Sequence, residues 1–316
     1  MTDEIKTIGL SYLTDGKLGN HNAGEGGSQT STLKKYGNKP YISGQSLRHA
    51  VKDYIKSQEP NKINCASEDS CGDIENCIIC DLGYMNTDLD PSENFPTSRQ
   101  SPLRMTPSVG VYDTPITTDM IVQFGVGGSV KKEEGSDESH GNSIAYRELT
   151  ENVYSGAWTL DSYMVGRRES EAMYHDNEIG NRYERTIDNK ISESERINRI
   201  NLIIDALQHY SKLAGQSRHM SDFMPDLAIC TRQPTYNQRI SNALHVNSES
   251  KKLNIKALES VCKDIVNQDG EIYVSGTYNP NVITNWEEVF EMLESIDGVK
   301  VLDTVSECYD ELKYDQ

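Results

Sequence analysis

The chain has 316 residues, 35% of them hydrophobic, and a formal net charge of −18; that length suits one large elaborated domain or two ordinary ones, with a modest core and large polar insertions. No stretch approaches the ~20 apolar residues of a membrane span, and "MTDEIKTIGLSYL" has no basic segment followed by an apolar run, so a soluble cytoplasmic protein is expected. The acidity at face value argues against a polyanionic partner, but it is segregated: residues 1–58 hold eight Lys/Arg against five Asp/Glu and residues 285–316 two against ten, which leaves room for a local basic face.

In chain order, residues 4–13 alternate as an opening strand, and residues 14–40, rich in Gly, Asn, Ser and Thr around "NHNAGEGGSQTST", are expected to be a long mobile loop. A short strand at Tyr41–Ile42 runs into Ser-Gly-Gln-Ser and then a helix over about 45–57. There Leu47, Val51, Tyr54 and Ile55 share one face, while Arg48, Lys52 and Lys56 form a neighbouring stripe. Residues 58–100 show little regular pattern beyond four cysteines, and 101–130 suggest strands and turns. The charged "KKEEGSDESHGN" at 131–142 is expected to be a disordered tip. Residues 146–166 are predicted as two strands with Ser155-Gly156 as their turn, followed by a charged stretch and a helix from Glu193 to Ala214 with an isoleucine-rich face. A buried strand at 226–231, a helix at 251–266, a strand at 271–275, a helix at 285–296 and a closing strand and helix complete the chain. The order β-α-β-β-α-β with a large insertion after the first helix is that of a ferredoxin-like α+β fold.

Cys65, Cys71, Cys77 and Cys80 fall within one short insertion, and Cys77-x-x-Cys80 lets two thiolates reach one ion. Four thiolates suit a tetrahedral structural zinc, which would staple a segment too poor in apolar residues to fold alone. The five-residue spacing of the first pair departs from common zinc fingers, and reduced thiols or a redox pair are the other readings. Cys230, Cys262 and Cys308 sit in apolar contexts as buried thiols.

Candidates for catalysis are few. "HNAGEGGS" lacks the Gly-Lys-Ser/Thr ending of a phosphate loop, and no Ser-His-Asp or Cys-His set can be assembled. His21 and Asn22 are placed to touch a ligand from the Gly-rich loop, and Arg167-Arg168 offer planar forks to phosphate unless they are only paired to Glu169 and Glu171. Tyr154, Trp158 and Tyr163 would either stack on bases or belong to the core.

Several segments carry a resemblance: Asn22-Ala23-Gly24-Glu25-Gly26; Tyr41-Ile42-Ser43-Gly44-Gln45-Ser46-Leu47-Arg48; Cys80-Asp81-Leu82-Gly83-Tyr84-Met85; Arg99-Gln100-Ser101-Pro102-Leu103-Arg104; Asp161-Ser162-Tyr163-Met164-Val165-Gly166; and "SRHMSDFMPDLAI". In order and spacing, over about residues 5–235, they resemble the repeat-associated RNA-binding superfamily of CRISPR systems, in particular the DevR-type backbone subunit of type I-B Cascade complexes. The resemblance implies a modified ferredoxin-like (RRM-like) palm over 1–57 and 143–316 with thumb elements, and an inserted finger region over 58–142 holding the zinc knuckle. It implies a non-catalytic antiviral scaffold whose copies polymerise head to tail along a CRISPR RNA and present it to target DNA beside other Cascade subunits. The implied RNA contacts are His21, Asn22, Lys34, Lys35, Ser43, Gln45, Arg48, Lys52, Arg104, Arg167, Arg168 and Arg218. Related type III backbone subunits are endoribonucleases with an aspartate before the Tyr-Ile-x-Gly element; counted back without gaps, Ser28 stands there, and a serine cannot do a carboxylate's work, with Asp15 and Glu25 the nearby substitutes. A generic zinc-containing interaction protein, which would not copurify with RNA, is the reading outside the superfamily.

Overall fold

A computed structural model describes residues 5–22, 30–65, 71–83, 85–87, 97–113, 116–123, 143–176, 180–210 and 223–315. The expected disordered tip at 131–142 lies outside them.

The fold is mixed α+β and is organised on the strand Thr7–Gly19. One edge of it pairs antiparallel with the long strand Ser143–Asp161, from Thr7↔Asp161 to Asp15↔Val153; the other pairs antiparallel with Leu227–Gln233, from Thr7↔Gln233 to Leu13↔Leu227. The sheet continues past Leu227–Gln233 to Glu271–Gly276 and the parallel strand Val299–Val301. Past Ser143–Asp161 it continues to Ser108–Gly110, Lys39–Ile42 and Lys35–Tyr36, and Leu103–Met105 and Thr117–Gln123 also pair with the long strand.

Side chains alternate across a strand, and both faces of this sheet are covered. Ile8, Leu10, Tyr12, Trp158, Leu160, Ala228 and Cys230 pack with helices Gly44–Gln58 and Glu193–His209 and with Cys77–Leu82. Leu13, Leu227 and Ile229 pack on the other face with helices Ile255–Val266 and Trp286–Glu294. Cys230, Cys262 and Cys308 are buried as expected, and Trp158 and Tyr154 belong to the core, with the Trp158 ring stacked on Tyr309 at 6.3 Å between centroids. Among the described residues no helix is long and apolar enough to cross a membrane.

Three sequence expectations are corrected. The opening strand runs to Gly19 and is followed by short strands at Thr30–Ser31 and Lys35–Tyr36, within what read as one loop. Ser155-Gly156 is no turn: both lie mid-strand, opposite Leu13 and Tyr12. A Cβ at Gly156 would meet the Tyr12 hydroxyl at 2.6 Å, so the glycine admits a close side chain, not a bend. The charged stretch after Gly166 is a ten-pair antiparallel hairpin, Arg167–Asp176 with Gly180–Asn189.

Candidate functional site

The strand Lys39–Ile42 turns into the helix Gly44–Gln58 within one residue. Ser43 is the N-cap, its hydroxyl accepting the Ser46 N–H at 3.3 Å. Gly44 passes directly under the end of Leu103–Met105, and a Cβ there would overlap the Met105 carbonyl oxygen. This tight joint leaves the positive end of the helix dipole facing outward. In front of it is a cavity of about 520 Å³ lined by Asn22, Lys34, Ser43, Gln45, Arg48 and Lys52, with Ser46, His49 and Gly83 completing the wall. Three cations and no carboxylate line it. Burial, followed by the Arg48 charge, pushes the Lys52 ammonium below the ordinary lysine value. A helix N-terminus flanked by cations favours an anion in front of it.

Six of the sequence-predicted residues therefore meet in one cavity. The others do not. His21 is buried at 1% exposure, its Nε2 2.8 Å from the Lys17 carbonyl and its ring edge-on to Tyr154 and Phe223, so it is a core residue and not the loop ligand expected. Lys35 projects from the edge of the sheet and pairs with Glu148 at 3.5 Å. Arg104 sits opposite Thr159 on the sheet face away from the helix, its guanidinium 4.4 Å over the Tyr236 ring. Arg167 is at the root of the hairpin: it lies 4.0 Å over Tyr163, donates to Asn189 at 2.9 Å, and shares a second cavity of about 410 Å³ with Lys6. Arg168, its neighbour on the strand, points to the opposite side of the ribbon. Arg218, Ser28 and Glu25 lie outside the described residues. Asp15 is committed elsewhere: its Oδ2 accepts from Lys17 at 2.5 Å and from Asn279 at 3.3 Å.

The four cysteines are gathered beside the cationic cavity. Their Sγ atoms all lie within 4.8 Å of one another, with Cys65 2.9 Å from Cys80 and 3.4 Å from Cys77, and Cys71 3.4 Å from Cys80. A tetrahedral zinc with Zn–S of about 2.3 Å needs sulfurs about 3.8 Å apart, so these thiols would hold one ion after a small expansion. Burial raises the Cys77 thiol, but backbone N–H groups and the Cys65 thiol outweigh it and lower it to about 7; burial and the Cys80 contact push Cys65 up. Cys77 is thus poised to become a thiolate, and an ion would deprotonate the rest.

The cluster is also wired into the core. Asp81, following Cys80, is fully buried, accepts the Gly166 N–H with both oxygens at 3.0 Å, and accepts Arg199 Nη1 at 3.0 Å. Arg199 reaches further, donating to the carbonyls of Ile74 and Glu75 at 2.7 and 2.5 Å. Neither Asp81 nor Arg199 is a candidate partner from the sequence; the separation of 118 residues hides the pair.

Residues 51–242 match the protein family described as "CRISPR-associated negative auto-regulator DevR/Csa2". The match takes in the cysteines, the hairpin and Lys52 but begins after Arg48. The fold is similar to a chain of a solved "CRISPR RNA-guided surveillance complex" (12% identity, TM-score 0.57, covering 97% of this chain and 98% of that chain). It is also similar to one of a "CRISPR RNA-guided surveillance complex, pre-nicking" (10% identity, TM-score 0.59, the same coverage). No curated protein matches the chain.

Proposed function

The chain belongs to the CRISPR-associated DevR/Csa2 family, and from that premise we propose that it is a non-catalytic RNA-binding scaffold of a Cascade-type effector complex. Several copies line up head to tail along a CRISPR RNA in the cytoplasm, hold its phosphates, and leave its bases to pair with target DNA beside other subunits. The observation that carries this reading is the convergence of Asn22, Lys34, Ser43, Gln45, Arg48 and Lys52 on one helix N-terminus. Those residues offer backbone N–H groups, a dipole and cations together, a combination that grips a sugar–phosphate chain without reading its sequence.

The sheet order supports a ferredoxin-like palm: the strands Leu227–Gln233, Thr7–Gly19, Ser143–Asp161 and Ser108–Gly110 lie side by side and antiparallel, with Gly44–Gln58 and Glu193–His209 on one face. In this reading the region 58–142 is the finger, the hairpin Arg167–Asn189 a thumb element, Arg104 and Arg167 outlying contacts, and zinc the ion at the four cysteines. Asp15, one of the two nearby carboxylates, is bonded to Lys17 and Asn279, which supports the non-catalytic reading. Binding of the purified chain to a labelled single-stranded RNA and to duplex DNA of equal length tests the reading: preference for the RNA supports it, and equal or absent binding contradicts it.

A further inference from the structure

The cysteine cluster and the cationic cavity share a wall. Gly83, three residues beyond Cys80 and donating its N–H to the Cys80 carbonyl at 3.1 Å, lines the cavity with Arg48 and Lys52. Arg48 and Lys52 stand one turn apart on the helix Gly44–Gln58, which forms the rest of that wall. Cys77 and Cys80 belong to the same core as Val51 and Ile55, which lie one turn apart on that helix. Fixing the sulfurs of Cys77 and Cys80 therefore acts on the segment that carries Gly83 into the cavity wall.

We propose that the four cysteines hold one Zn²⁺ and that this ion and single-stranded RNA bind the chain cooperatively, the coupling passing through Gly83. The inference rests on the cavity being an RNA-backbone site. Two effects oppose each other. A Zn²⁺ with four thiolates carries a net charge of −2, which repels a phosphate, but that repulsion crosses solvent and is screened over about 10 Å at 0.1 M salt. The ion would also pin the segment that supplies Gly83, and that effect acts inside the cavity wall. The local support wins, so the coupling is positive.

Removing the ion should not unfold the chain. Arg199 grips the Ile74 and Glu75 carbonyls, and Asp81 holds Gly166, without any metal. Chelation would thus loosen the cysteine loop and the Gly83 wall while the sheet and its helices stay in place.

Coupling free energies are reciprocal, so one titration reads both halves. Zinc retention by the purified full chain is measured against a chelator, with and without a saturating single-stranded oligo-uridylate; RNA affinity is measured for the zinc-loaded and zinc-stripped chain. We expect one zinc per chain, about tenfold tighter retention with RNA, and the same factor in RNA affinity. In Arg48→Ala the RNA affinity falls and the factor shrinks toward one. A chain that binds no stoichiometric zinc, or that holds it equally with and without RNA, overturns the coupling even if Arg48→Ala still weakens RNA binding. If Arg48→Ala leaves the RNA affinity of the loaded chain unchanged, the cavity reading itself has failed and takes the coupling with it.

Discussion

Arg199 and Asp81, 118 residues apart, form an ion pair with 3.0 Å between Nη1 and Oδ2 and with side chains only 3% and 1% exposed. A charge buried this deeply is tolerable only when its partner and its remaining hydrogen bonds are present. Asp81→Ala removes the buried carboxylate from the guanidinium, leaving it only the more exposed Glu195, and orphans the Gly166 N–H, and should cost about 3–5 kcal/mol. Urea unfolding checks it; a loss below about 1 kcal/mol would mean that the pair relaxes into water.

The proposed grip on an RNA backbone predicts a salt signature. Arg48→Ala should weaken single-stranded RNA binding by about 1.5 kcal/mol, roughly tenfold. It should also flatten the dependence of log K on log salt by about 0.7, the counterion equivalent of one phosphate contact on a single strand. An unchanged slope would make Arg48 structural.

Gly156 distinguishes strand from turn. Its Cβ position lies 2.6 Å from the Tyr12 hydroxyl and 2.8 Å from Ser108 Oγ, groups that themselves sit 2.9 Å apart. Gly156→Ala should lower stability by about 1–3 kcal/mol through overpacking. A thermal midpoint equal to that of the parent chain contradicts the packed strand.

Acid sensitivity should trace to Glu195. Burial raises its pKa, but hydrogen bonds from Arg199 and Lys62 outweigh it and hold the carboxyl below its ordinary 4.5. A depressed folded pKa contributes stability that is present above the unfolded value and lost as pH falls through the folded one. Melting between about pH 6 and pH 3 should therefore decline less steeply in Glu195→Gln than in the parent. Parallel declines would remove Glu195 as a cause.

The acidic end of the chain is the proposed contact for the basic region of the next copy, since a head-to-tail contact needs complementary patches. Lysine at Glu287, Glu288 and Glu291 together should shorten RNA-bound assemblies in sedimentation. The cost to the fold should stay small: among the described residues the one ion pair lost, Lys252–Glu288 at 3.3 Å, is exposed and worth under about 1 kcal/mol. Reversing Glu287 and Glu288 in the first turn of Trp286–Glu294 costs about 0.3–1 kcal/mol each against the helix dipole. Assemblies of undiminished length would rule the patch out.

The strand–helix joint was legible because its signals are local: Ser43 as a cap, Gly44 at the bend, and apolar residues at helical spacing through Ile55. The cysteines were legible for the same reason. His21 misled because Gly-rich sequence reads as loop, whereas the strand running on to Gly19 carries the ring between Tyr154 and Phe223. Gly156 misled because a glycine that makes room and a glycine that turns look alike until Tyr12 is seen to face it. The hairpin Arg167–Asn189 escaped because its strands carry charge where apolar alternation would mark a sheet covering a core. Arg104 and Arg167 read as equals of Arg48, but strand alternation sends one to the far face and chain geometry sends the other to the hairpin root.

The most direct measurement is the nucleic acid carried by the chain when purified from cells that express its CRISPR RNA, sized and sequenced after nuclease trimming. The scaffold predicts a repeat-spacer RNA protected in regular steps, one step per bound copy. A chain that carries no RNA at low salt, or that shortens added target RNA at fixed intervals, would contradict it.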